Sequence, residues 1–286
     1  MPKISTMIKY LKTFKQAGVI RLKAFLTMMG FCSKPNFIII GAQKAGTTGL
    51  FSILNKHSLI IGSPQKEIHY FDDDLWYSKK KISSYHFHFP LPHNVNRKAK
   101  LFEATPIYLF HPEVAQRLYN YNPKLKLIIL LRNPAERAFS AWTMYHHHSK
   151  TGRYRHLHDP RSFDEAINEE MKDIEKSSFH QNKIAYIKRG IYHYQIEEYL
   201  KYFPKEQLLF IESNAIKKQF ENTLNNIHDF VEVPREKQRF IEVNKSRVSE
   251  KKNYEKEIQN LKNFYRPHND KLYHLIGEKY DWNNEL

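Results

Sequence analysis

The sequence predicts an α/β fold built on a parallel sheet, and three observations predict it. Two short aliphatic runs, Phe37-Ile38-Ile39-Ile40 and Leu127-Ile128-Ile129-Leu130-Leu131, show no polar–apolar alternation. Such strands are buried on both faces, as in a parallel sheet covered by helices. A third run, Gln207 to Ile211, follows a helical segment from Tyr192 to Tyr202 that Pro204 ends. Strands that alternate with helices need crossover connections, and these make neighbouring strands parallel.

The length of 286 residues and the 41% hydrophobic content suit one large globular domain. Eighteen Tyr and 19 Phe supply a packed core, so the chain is not of the disordered class. No internal repeat occurs, which excludes a solenoid.

Residues 1–35 read as a basic amphipathic extension, and residues 36–286 as the domain. The extension holds Lys3, Lys9, Lys12, Lys15, Arg21, Lys23 and Lys34 and no acidic residue. The whole chain carries a net charge of +16, which points to an anionic partner. Met7, Leu11, Phe14, Gly18, Leu22, Phe25 and Met29 fall on one helical face, with Lys9, Lys12 and Lys23 on another. That pattern suits either a helix lying on an anionic membrane or one docked on a protein surface. Ala24 to Phe31 is far shorter than the roughly 20 residues of a membrane span. The single cysteine, Cys32, excludes an intrachain disulfide and fits a reducing cytoplasm. The expected location is cytoplasmic, with contact to the inner membrane face through the extension.

The first strand runs into Gly41-Ala42-Gln43-Lys44-Ala45-Gly46-Thr47-Thr48, followed by a helix-like stretch from Gly49 to Asn55. A strand, a Gly-x4-Gly loop and a helix form a phosphate cradle. Backbone N–H groups curl around the anion, and the helix N-terminus adds its dipole. In a nucleoside-triphosphate loop Lys would follow the second glycine, but here Thr47 does and Lys44 lies inside the loop. The second strand ends at Arg132 rather than at a magnesium-binding Asp. Arg132 leaves the sheet at its carboxyl edge, where open α/β folds bind ligands. Ser140 follows about two turns along the next helix, which carries Arg137, Phe139 and Trp142. Arg132 and Ser140 make a second anion site, and two such sites suit a nucleotide phosphorylated at both ends.

With these residues in view, the chain resembles the sulfotransferase family, in particular the bacterial-type relatives of heparan sulfate N- and O-sulfotransferases. Five ordered segments carry the resemblance: residues 41–48, residues 130–140, Lys66-Glu67-Ile68-His69-Tyr70-Phe71-Asp72, Glu103 to Tyr108, and Phe264 to Asn269 with Tyr273, Gly277 and Trp282. The fold it implies is a P-loop NTPase-like central parallel sheet flanked by helices, with residues 36–286 as the sulfotransferase domain. The donor it implies is 3'-phosphoadenosine 5'-phosphosulfate (PAPS), with adenosine 3',5'-bisphosphate (PAP) as product and no metal. Lys44, Ala45, Gly46, Thr47, Thr48 and Gly49 would hold the 5'-phosphosulfate. Arg132, Ser140, Arg189 and Gly190 would meet the 3'-phosphate. Lys245 and Arg247 would stand where the animal enzymes carry a Lys-Gly-Arg loop. Glu67 would be the general base, Lys44 would steady the leaving oxygen, and His69 would assist. In an extended segment Glu67 and His69 would share a face. Lys66, His69, Asp72 and Tyr108 would line the acceptor site. The acceptor would be a carbohydrate or glycolipid, not nucleic acid.

Other constellations are read more simply. His146-His147-His148, with His156 and His158, suggest a metal site, but neighbouring helical residues diverge by about 100° and cannot converge on one ion. Glu250, Lys251 and Lys252 read as a solvated face. Two other functions stay open at this point. An NTP-dependent kinase would need magnesium. A non-catalytic module for polysaccharide or nucleic acid would bind with steep salt dependence.

Overall fold

The structure is a computed structural model describing residues 17–147, 155–172, 174, 184–240 and 248–282. Its sheet has five strands: β1 (Phe37–Gly41), β2 (Ile60–Gly62), β3 (Lys100–Ala104), β4 (Lys126–Leu131) and β5 (Leu208–Glu212). All pair in parallel, in the order β2-β3-β1-β4-β5. β1 lies at the centre, and Phe37 to Ile40 are fully buried, as unbroken aliphatic runs require.

The helices described are α1 (residues 17–28), α2 (Thr47–Leu54), α3 (Asp74–Ser78), α4 (Ile82–His86), α5 (Val114–Tyr121), α6 (Pro134–His146), α7 (Phe163–Lys172), α8 (Tyr192–Leu200), α9 (Ala215–Lys218), α10 (Phe220–Val231) and α11 (Glu255–Ile276). The three expected strands and their helices are present. β2 and β3 had no such signal. β2 is only three residues long, and β3 carries Lys100 and Glu103. The buried Glu103 is tolerated because Tyr85 OH donates to Oε1 (2.9 Å) and Thr105 Oγ1 donates to Oε2 (2.6 Å).

Two details shape the end of β1. Ile39 pairs with Ile128 and Gly41 with Ile129, so Ile40 is an extra residue that bends the strand where the loop begins. A Cβ on Gly41 would stand 2.5 Å from Leu109 Cβ, so only glycine fits. A second core joins α6, α7 and α11 through Phe139, Trp142, Phe163 and Tyr265. It braces α6, whose start at Asn133 is capped by the Asn133 side chain accepting from Ala135 and Glu136 N–H. The carboxyl ends of β1, β3, β4 and β5 face one edge, and the site lies there. No described helix is long and apolar enough to cross a membrane.

Candidate functional site

The loop after β1 has the strand–loop–helix layout read from the sequence. Gly46 (φ 101°) and Lys44 (φ 70°) adopt left-handed backbone, and α2 starts directly behind them. Ser213 Oγ at the end of β5 donates to Ala45 O (2.8 Å), which ties the loop to a second strand end. Thr47 is buried, while Gly46 and Thr48 are exposed at the loop's mouth. Burial lowers the Lys44 pKa, and the nearby Arg132 and Arg137 lower it further.

Arg132 lies beside this loop. Its Nη1 donates to Lys44 O (3.1 Å), and its Nη2 stands 3.6 Å from Glu136 Oε2. The two predicted anion sites therefore adjoin. Arg189 reaches the same edge from a separate turn: Nη1 donates to Gln43 Oε1 (2.7 Å), and the guanidinium lies over the Phe110 ring. Gly190 fits tightly under Tyr265, whose hydroxyl would meet a Cβ at 2.6 Å. Ser140 is partly exposed two turns along α6. Arg137 is fully buried and donates from Nη2 to Tyr186 O, holding the turn that carries Arg189. Lys44, Arg132, Arg137 and Arg189 thus gather positive charge at one strand edge. A polyanion such as a 3',5'-bisphosphorylated nucleotide fits that set. Lys245 and Arg247 lie outside the described residues.

The acceptor-side segment follows β2. It is not extended, as the shared-face expectation required: Glu67 (φ 62°) and His69 (φ 59°) are both left-handed. The turns still bring the two side chains together, because Glu67 N–H is pinned to Ala104 O (3.0 Å) at the end of β3. Lys66 Nζ contacts Glu67 Oε1 (2.5 Å), and His69 Nε2 stands 3.7 Å from Glu67 Oε2. His69 Nδ1 bonds Asp72 Oδ2 (2.8 Å). His69 and Lys66 hold Glu67 at about 2 although burial opposes them. Burial alone would lower His69, but its bonds to Asp72 and Glu67 outweigh that and push it up to about 10. Glu67 and Lys66 are close enough to Lys44 to act on its charge, so the acceptor segment and the donor loop adjoin.

Tyr108 is corrected. It is fully buried, and its hydroxyl accepts from Tyr70 N–H (3.2 Å) and Phe71 N–H (3.4 Å). It braces the acceptor segment from behind and is not open to a substrate. Lys251 is corrected too: it forms an ion pair with Glu136, the same carboxylate that faces Arg132, instead of lying on a solvated face. Its position beside the site depends on a fold-back no local pattern announces. Gln43 and Ser213 were also missed, since their roles depend on partners 146 and 168 residues away. The C-terminal signature folds onto the second anion site, where Asn133 Nδ2 donates to Trp282 O (2.9 Å). His146 stacks on Trp142 at 4.7 Å, and no group of three His, Cys, Asp or Glu among the described residues is arranged to hold a metal.

With this geometry in view, comparison with known proteins is specific. The sequence model described as "Sulfotransferase domain" matches residues 34–286. Heparan sulfate glucosamine 3-O-sulfotransferase 5 of Mus musculus is 27% identical over 277 residues, covering 87% of this chain and 74% of its own length. Bifunctional heparan sulfate N-deacetylase/N-sulfotransferase 3 of Homo sapiens is 29% identical, over 70% of this chain and 22% of its own length. The crystal structure of a sulfotransferase from Alicyclobacillus acidocaldarius superposes with a TM-score of 0.67 at 26% identity, covering 87% of this chain and 99% of that one. The kinase and the non-catalytic module are thereby set aside: the chain belongs to the sulfotransferase family and is a PAPS-dependent enzyme.

Proposed function

We propose that the enzyme transfers a sulfuryl group from PAPS to a hydroxyl or amine of a carbohydrate or glycolipid. The observation that carries this reading is the nearness of two charge systems at one sheet edge: the Lys44–Arg132 pair and the Lys66–Glu67–His69–Asp72 chain, with Glu67 and Lys66 close enough to act on the Lys44 charge. The saccharide class is supported by relatives named for heparan sulfate.

The bound donor supplies an activated sulfur whose bond to the bridging phosphate oxygen breaks as the acceptor attacks. Lys44, with the N–H groups of residues 44–49, meets the negative charge that grows on that bridging oxygen. Arg132, Ser140, Arg189 and Gly190 hold the distant phosphate, and Lys245 and Arg247 are assigned to the same task. Glu67 takes the acceptor proton during attack. His69, kept protonated by Asp72, orients the acceptor and balances the charge.

At about 2 Glu67 is a weak base as it stands, with a cation on each oxygen. An anionic saccharide that draws Lys66 away from Oε1 would strengthen it. That favours acceptors already carrying carboxylate or sulfate. No residue in this scheme calls for a metal, and a cytoplasmic setting suits the lone Cys32.

The test is a thermal-shift titration with PAP, followed by labelled PAPS transfer to saccharides of rising charge. A PAP-dependent shift and transfer that improves with acceptor charge are expected. No shift with PAP, or transfer only to uncharged small phenols, would overturn the reading.

A further inference from the structure

α1 is built inside out for a helix on a soluble protein. Such helices hide their apolar side and show their polar side. α1 turns Lys23 and Thr27, one turn apart, toward the domain. Thr27 is buried, and Lys23 Nζ lies over the Phe87 ring at 4.7 Å. Lys23 lies on a different face from Leu22, Phe25 and Met29, as the sequence pattern sets it, and that face is the docking edge.

Apart from the half-buried Leu26, the large apolar side chains point away. Val19, Ile20, Leu22, Phe25, Met28 and Met29, with Phe31 just beyond, are each between 54% and 66% exposed. Leu22, Phe25 and Met29 form one stripe, with Met28 beside it. Soluble monomers seldom expose a contiguous apolar surface of this kind unless it binds something.

The helix is also held in place. Gly30 (φ 89°) closes it, and Cys32 Sγ lies 3.2 Å from His86 Nδ1 on α4. His86 Nε2 in turn bonds Tyr121 OH (2.9 Å). The exposed stripe is therefore fixed relative to the domain.

Charge chooses the occupant. No acidic residue occurs before Glu67, and the exposed Arg21 and Lys34 flank the apolar stripe. A second copy of the chain would bring the same basic extension against this one. An anionic phospholipid surface offers both acyl chains for the stripe and headgroups for the cations. We infer that α1 lies in the interface of an anionic bilayer and seats the enzyme there as a peripheral protein. This does not rest on the assignment of the catalytic residues.

The experiment uses the full chain and vesicles of phosphatidylcholine, with or without phosphatidylglycerol. Leu22→Asp, Phe25→Asp and Met29→Asp are combined in one variant. The wild type sediments with the phosphatidylglycerol vesicles, and binding falls at least about tenfold with the variant or with pure phosphatidylcholine. The variant keeps its melting temperature and its PAP-induced shift, so lost binding is not lost fold. Equal sedimentation of variant and wild type overturns the inference, as does no binding to either vesicle. A wild-type dimer by light scattering that the variant converts to monomer also overturns it, assigning the stripe to a second copy.

Discussion

The donor edge and the acceptor edge of this site are built in opposite ways. The loop proposed to hold the donor is one contiguous stretch between β1 and α2, and the grip proposed for it comes from backbone N–H groups set by Gly46 and the helix start. The acceptor edge depends on side chains. Lys66, Glu67, His69 and Asp72 lie on a segment that turns through left-handed Glu67 and His69 and is held from outside by Ala104 O and Tyr108 OH. A backbone cradle tolerates side-chain change and holds a constant donor. A chain of ion pairs responds to each substitution and can be tuned to an acceptor.

That contrast can be broken by measurement. The largest effect is expected for Glu67→Gln, which should lower kcat by about 10²–10⁴ while the PAP-induced thermal shift persists. Lost PAP binding would mean the two edges are not separable. Lys44→Ala should follow, with kcat down about 10²–10³ in single-turnover transfer, since one positioned cation is removed from the leaving oxygen. Arg132→Ala should instead act on affinity. Losing a charged contact costs about 1.5–3 kcal/mol, which calorimetry with PAP would read directly. An unchanged Kd would remove Arg132 from the donor edge.

pH probes the acceptor edge. Glu67 ionises near 2 and His69 loses its proton near 10, so kcat/KM should be flat from about pH 5 to about pH 8. A bell centred near neutrality would show that the resting ion pairs do not persist in solution. The smallest effect concerns Glu103, behind the acceptor segment. Burial raises it to about 7, against its bonds from Thr105 and Tyr85. A raised folded pKa means stability fully present below the ordinary 4.5 and lost as pH rises through about 7. The wild type should therefore lose melting temperature relative to Glu103→Gln as pH rises from about 5 to about 8, a difference in which the pH dependence that His69, His86 and His228 give to both proteins cancels.

The central strands, the strand–loop–helix turn and the place of Arg132 at the end of β4 were legible in the sequence. Their signals are local: unbroken aliphatic runs, glycine at a left-handed turn, and arginine at a strand's end. The edge strand β2 and the charged strand β3 were not. The first is too short to show a period, and the second hides a buried carboxylate whose partners, Tyr85 and Thr105, only the fold identifies. Tyr108 looked like a site residue because it closes a site segment, but its hydroxyl is used on Tyr70 and Phe71 backbone.

Residue order alone determined the parallel α/β class, the place of the phosphate loop and the basic character of the first 35 residues. These depend on neighbours within a few positions, where sterics and periodicity act. The tertiary structure decided which cations meet: Arg132 on the Lys44 carbonyl, Arg189 on Gln43, and Lys251 on Glu136. It also decided that Lys23 docks inward while Phe25 faces out. Helical periodicity sorts residues into faces, but which face turns to the domain depends on what the remote chain presents there, here the Phe87 ring.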